Sequence, residues 1–253
     1  MVRRDWGRDE QLLALRLYCL LPFGQLHQKN KEVIAVATAI GRTPSVVAMK
    51  ACDFASLDSA ITQNGLGNSS RADRVLWESF MNDSEAVIGD AEELFQKLVV
   101  TKVVDADELL PIIPQGPTES VREVRVRRVQ QFFRNCVLIG YKNQCAISGL
   151  DIPGLLIASH IIPWSENESR RADPANGVVL NSLYDAAFDK GFMTFDDDFR
   201  VVLSRRIIES VKTKELASIL FDIKGKPMTM PSRFLPDISA IRYHRNNIFI
   251  DDV

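Results

Sequence analysis

The spacing of apolar residues changes character once along this chain, and that change decides the fold class. Up to residue 98 the apolar positions recur at helical intervals, whereas after Gln144 they fall in short runs bounded by turn residues. Between the two lies a stretch, 99–120, that holds Pro111, Pro114, Gly116 and Pro117 and has no sustained period. Such a composition joins packed units rather than entering one. The pattern predicts an α+β protein. An all-α helical domain is expected over residues 1–100, a linker over 101–118 and a mixed domain over 119–253. At 253 residues the chain is long enough for two domains with separate cores.

In the first part, Leu12, Leu13, Leu15, Leu17, Leu20 and Leu21 mark a helix over 8–22, interrupted by Pro22-Phe-Gly. Asn30 is placed to cap a second helix from Lys31 to Ile40, which Gly41 ends, and Pro44 suits the first turn of a third. Ala37, Gly41 and Val47 have helix-turn-helix spacing: a small residue for close approach, a glycine turn, then an apolar residue packed beneath. Lys50, at a position where burial is expected, is polar. Direct DNA contact and a helical docking or dimerisation module both remain open for this region. Residues 69–98 read as two further helices around Asn82-Asp83-Ser84.

The second part opens with a helix from Glu119 to about Leu138, with Val126, Val129, Phe133 and Val137 as its apolar stripe. Arg122, Arg125, Arg127, Arg128 and Arg134 surround that stripe. They form either a solvated face or a phosphate-binding one, for which arginine is the better cation. Strands are expected at Cys145-Ala-Ile and at 155–162, with a turn at Ser148-Gly149 between them. A charged loop over 163–175 includes Arg170 and Arg171, two further candidates for nucleic-acid contact. Residues 176–189 read as a short helix stopped by Gly191. A hairpin follows over 192–204, turning at Asp196-Asp-Asp, then a helix over 207–220 and a less regular tail.

A formal charge of -2 and a pI near 6.0 exclude a protein that is basic all over, so nucleic-acid contact requires a local basic face. The four cysteines are widely spread, which gives neither a disulfide framework nor a zinc knuckle. The start lacks a signal-peptide core, and no apolar run approaches the roughly 20 residues that span a bilayer. A soluble cytoplasmic protein without a membrane partner is the expectation.

Of only three histidines, His160 ends the apolar run Leu155-Leu-Ile-Ala-Ser-His-Ile-Ile. After a polar loop come Asn176-Gly and then Asp185 and Asp189. A histidine on a strand, an asparagine after a loop and a metal-binding side chain on the next helix are the parts needed to cut a phosphodiester with one cation. Cys145-Ala-Ile-Ser-Gly, Ala158-Ser-His-Ile-Ile-Pro-Trp164, Pro174-Ala-Asn-Gly177, Ala187-Phe-Asp-Lys-Gly191 and Thr194-Phe-Asp-Asp-Asp198 together resemble the HNH endonucleases, over about residues 120–250. The resemblance is closest to a bacterial restriction-like branch, and Tyr243-His-Arg in the tail is part of it.

The resemblance implies a ββα-metal fold and a metal-dependent DNA endonuclease, with a restriction or defence role. His160 would be the general base, with Asn176 tying the loop to the hairpin. Where the pattern usually has a metal-binding histidine, nine residues after the asparagine, this chain has Asp185. The neighbouring position, sometimes histidine, is Tyr184, and the often acidic position before the catalytic histidine is Ser159. Asp185, Asp189 and Ser159 would therefore hold one Mg²⁺ or Mn²⁺. His244 is expected either to reach the site or to anchor the tail. Double-stranded DNA is the expected partner, and a homodimer would allow cleavage of both strands. The departures also leave open a DNA-binding protein with an impaired site.

Overall fold

The computed structural model describes residues 4–61, 68–100 and 121–251, and the linker expected over 101–118 lies outside them. The architecture is α+β, with helices in the N-terminal part and short strands with helices after it. Two compact units divide it: Met1–Cys136 with Ser169–Asp173, and Val137–Glu168 with Pro174–Val253. Among the described residues no single helix is long and apolar enough to cross a membrane.

The first unit is built on helix α1 (Arg8–Leu20), in which Leu12, Leu13, Leu15 and Leu17 are buried on every side. It packs against α2 (Lys31–Ile40), α3 (Pro44–Asp53), α4 (Arg71–Asn82) and α5 (Ser84–Phe95). Because it is surrounded, its polar residues need internal partners. The Arg16 guanidinium, 1% exposed, meets Glu92 at 2.7 Å and Glu32 at 3.5 Å and lies over the Phe95 ring.

Asn30 caps α2 by accepting from the amides of Glu32 and Val33, and Gly41 ends it at φ +66. The axis then turns by 104° into α3. Val47 and Ala37 are buried as their spacing requires. Lys50 is buried too, because its Nζ lies 2.8 Å from Asp73, the residue that closes the capping box of α4. Burial alone would raise the Asp73 pKa, but the Lys50 and Ser70 hydrogen bonds hold it below its ordinary value. With Lys50 turned inward, α3 presents Ser45, Val46 and Met49 to solvent and no cation.

Helix α6 (Val121–Gly140) carries the arginines, and Val129, Phe132, Phe133, Cys136 and Val137 form its buried face. In the second unit, β1 (Leu156–His160) and β2 (Gly177–Asn181) form an antiparallel pair, and α7 (Ser182–Asp189) packs on both. A second hairpin, β3 (Met193–Phe195) with β4 (Val201–Leu203), lies against α7 through β3. Then follow α8 (Arg205–Ser210), α9 (Lys214–Phe221) and α10 (Ile238–Asn247), the last packed on β3.

Three expectations are corrected here. Residues 177–181 are strand rather than helix, because each pairs with β1, and the helix starts only where Asn181 caps the amides of Leu183 and Tyr184. Cys145-Ala146 makes single bonds to Val179 and Thr229, but the chain folds back at Gly149 (φ +72), from Cys145 to Leu150, before a ladder can extend. The helix expected over 207–220 is two helices, separated where Val211 adopts an extended conformation.

Candidate active site

His160 is the last residue of β1, part-exposed, and its ladder partner is Gly177, which places no side chain opposite the ring. Trp164 meets the imidazole edge-on, with ring centroids 5.5 Å apart. The passage from His160 to Asn176 is pinched at its base. Asn176, 1% exposed, accepts from the Ile162 amide at 2.8 Å through Oδ1 and donates to the Ile162 carbonyl at 3.1 Å through Nδ2. Its own carbonyl accepts from the Ile161 amide at 2.9 Å. Three bonds thus fix the two residues that follow His160. An ionised aspartate at 176 would accept but could not donate and would add a charge, and a leucine could do neither.

Across the strand–helix junction, the Ser159 hydroxyl donates to Asp185 Oδ1. Asp185 is half-buried. Burial raises its carboxyl pKa, with the Asp189 charge adding to that and the Ser159 bond opposing it. Asp189 is the last residue of α7, at the negative end of the helix dipole, where an anion is least favoured. Among the described residues neither aspartate receives a hydrogen bond or ion pair from a lysine or arginine. Two neighbouring carboxylates without a cationic partner form an electrostatically incomplete site.

Tyr184 turns the other way. It is buried, and its hydroxyl donates to the Ile219 carbonyl at 3.1 Å, so it joins α7 to α9 instead of facing the aspartates. His244 is also away from solvent. Its Nδ1 lies 2.9 Å from Thr194 Oγ1, its Nε2 lies 3.1 Å from the Phe188 carbonyl, and the ring stacks on Phe188. Burial lowers its pKa to about 4, opposed by the Phe188 bond, so the ring is neutral near pH 7. The sequence marked both residues, yet the partners that define them, Ile219 and Thr194, carry no local signal.

Of the seven arginines read as nucleic-acid contacts, Arg125, Arg170 and Arg171 are held by carboxylates among the described residues. Arg125 lies against Glu93 and Asp90, with its guanidinium where a side chain on Gly89 would stand. Arg170 binds Asp173 through two nitrogens, and Arg171 lies 3.3 Å from Glu85, in the same unit as the segment Ser169–Asp173. On α6, Arg122 and Arg127 are exposed and Arg128 and Arg134 part-exposed. Sequence spacing could not reveal Glu85, Asp90 and Glu93 as partners, since they lie 32 to 86 residues away.

Among the described residues no three His, Cys, Asp or Glu side chains converge as a ready metal cluster. No curated protein matches the chain. A family model described as HNH endonuclease matches residues 145–196, which span the turn at Gly149, the β1–β2 pair, α7 and β3. Family match and ββα geometry fall on the same residues, so this part of the chain matches the HNH endonuclease family in both sequence and fold.

Proposed function

We propose that the protein is a divalent-metal-dependent endonuclease acting on double-stranded DNA, with His160 as general base. The observation that carries this reading is the aspartate pair without a cationic partner on α7, joined through Ser159 to the strand that ends in His160. HNH nucleases in general use a divalent metal. Two carboxylates and a hydroxyl are oxygen donors, which fit Mg²⁺ or Mn²⁺, ions that keep several waters and need few protein ligands. They suit Zn²⁺ less well, since its protein sites are built mainly from Cys and His, with carboxylates joining them. Asp185 and Asp189 would hold the ion, while Ser159 fixes the Asp185 carboxylate and leaves Oδ2 for it. When bound, such an ion stabilises negative charge on the scissile phosphate and the leaving 3′ oxygen. His160 accepts the proton of the attacking water, and its part-exposed position at a strand end gives that water access. The bonds from Asn176 and the edge of Trp164 hold the imidazole's surroundings in place.

Arg122 and Arg128 of α6 are the phosphate contacts we retain, because Arg125, Arg170 and Arg171 are engaged by carboxylates. The outward face of α3 has no cation, which favours a docking role for the helical unit over DNA reading. A restriction or defence role is part of the same proposal.

The test is incubation of the purified chain with plasmid DNA and Mg²⁺ or Mn²⁺. Cleavage that ceases on chelation, and that falls at least about a hundredfold in His160→Ala, is expected. Undiminished cleavage by His160→Ala rejects the assigned base. A second reading, a DNA-binding protein with an impaired site, draws on the missing third ligand. Retained DNA binding with no cleavage in any divalent metal would establish that reading in place of the first.

A further inference from the structure

We propose that His244 is a positioning residue for the cation-binding helix α7, which makes the C-terminal helix α10 a working part of the site. This rests on the reading of Asp185 and Asp189 as cation ligands.

The Phe188 carbonyl can only accept, so the hydrogen on His244 lies at Nε2, and Nδ1 accepts from the Thr194 hydroxyl. The ring and both of its partners are thereby satisfied in the interior without a charge. Phe188 immediately precedes Asp189 and lies within one turn of Asp185. Its carbonyl also takes the Gly191 amide at 3.0 Å, while Phe192 donates to Ala187 at 2.7 Å. These two bonds close the left-handed helix end that Gly191 (φ +74) permits.

Beyond the glycine, the tail closes over the same corner. The Ile250 amide donates to the Gly191 carbonyl at 2.8 Å, and a Cβ on Gly191 would stand 2.1 Å from the Ile248 carbonyl oxygen. Helix α7 has only eight residues, too few to hold its last turn by propensity. Repulsion between Asp185 and Asp189 and the dipole at Asp189 both act to open that turn. His244 opposes this by tying the last turn to β3 and α10, so the two carboxylates stay one turn apart before a cation arrives. The order of motifs in the sequence fits this arrangement, since Thr194 follows Gly191 closely and His244 returns from the far end of the unit.

The experiment is calorimetric titration of Mn²⁺ into the full chain without DNA, with circular dichroism as the check on folding. His244→Phe keeps the stack on Phe188 and loses both hydrogen bonds. It is expected to weaken Mn²⁺ binding about tenfold, the usual scale for residues that orient ligands. His244→Gln restores a donor near the Nε2 position and is expected to stay within about threefold of the native chain. Equal affinity in the native chain and His244→Phe overturns the proposal, as does loss of affinity in His244→Gln as large as in His244→Phe. Should His244→Phe fail to fold, Thr194→Val against Thr194→Ser makes the same comparison through the other ring nitrogen, with weaker binding expected only for valine. Absence of Mn²⁺ uptake by the folded native chain overturns the cation reading itself, and this inference with it.

Discussion

Replacing Asn176 by alanine isolates the tie at the base of the loop between β1 and β2. In the native protein the Asn176 amide serves both polar groups of one peptide neighbour, the Ile162 N–H and C=O, next to side chains that are almost wholly buried. Alanine orphans both groups at once. At about 1.5 kcal/mol for each buried group left without a partner, the loss is about 3 kcal/mol. The backbone bond from Ile161 to the Asn176 carbonyl survives, so the strand pairing itself is spared. In a chain of this length that corresponds to about 6–12 °C in melting temperature. Asn176→Asp sharpens the test. Its carboxylate still accepts from the Ile162 amide but faces the Ile162 carbonyl without a proton, so the folded state raises its pKa above the unfolded value near 4. Below that value the acid is protonated in both states and donates as the amide did. As pH rises through the folded pKa that stability is lost. The gap between native and Asn176→Asp should therefore widen from about pH 4 to pH 7, measured by urea unfolding at each pH. An Asn176→Ala variant within about 0.5 kcal/mol of native, or a pH-independent gap for Asn176→Asp, refutes the reasoning.

Three other predictions use the same geometry. Asp185 has a raised pKa in the folded state, so its ionised form costs stability above the unfolded value. Metal-free Asp185→Asn should therefore melt higher than native at pH 7, while Mn²⁺ should raise the melting temperature of the native chain alone. His244 has a folded pKa near 4 against 6.5 ordinarily. The unfolded chain binds more protons within that window, so stability should fall by about 3 kcal/mol as pH drops from 6.5 to 4, and His244→Gln should remove most of that slope. Gly191→Ala should cost well over the about 1–2 kcal/mol of a left-handed residue, because its Cβ meets the Ile248 carbonyl, whereas Gly41→Ala, with open space around it, should cost no more than that.

Local punctuation made much of this fold legible. Asn30, Gly41 and Pro44 bound α2 and the start of α3 because each acts on its own neighbours, and Asp83 parts α4 from α5 in the same way. Strand β2 was not legible. Val178, Val179 and Leu180 form an apolar run too short for its period to separate strand from helix, and only its pairing with β1 decides. Partners distant in sequence were hidden for the same reason. Lys50 looked like a polar intruder until Asp73, 23 residues on, came to meet it. Arg125 looked like a phosphate ligand until α5 supplied Glu93.

Two of the departures from the expected site, Ser159 and Asp185, read from sequence as separate weakenings of a metal centre. In the folded chain they are one feature, since the Ser159 hydroxyl is hydrogen-bonded to the Asp185 carboxylate. A carboxylate reaching from α7 to a hydroxyl on β1 keeps one acidic group at the strand–helix junction, anchored on the helix instead of the strand. Its burial costs ionisation energy, and the nearby Asp189 adds to that cost. A bound cation would remove both penalties at once. The same arrangement explains why α7 needs an external hold: a short helix with two repelling acids keeps its last turn only while Phe188 and Gly191 are tied down from β3 and the tail.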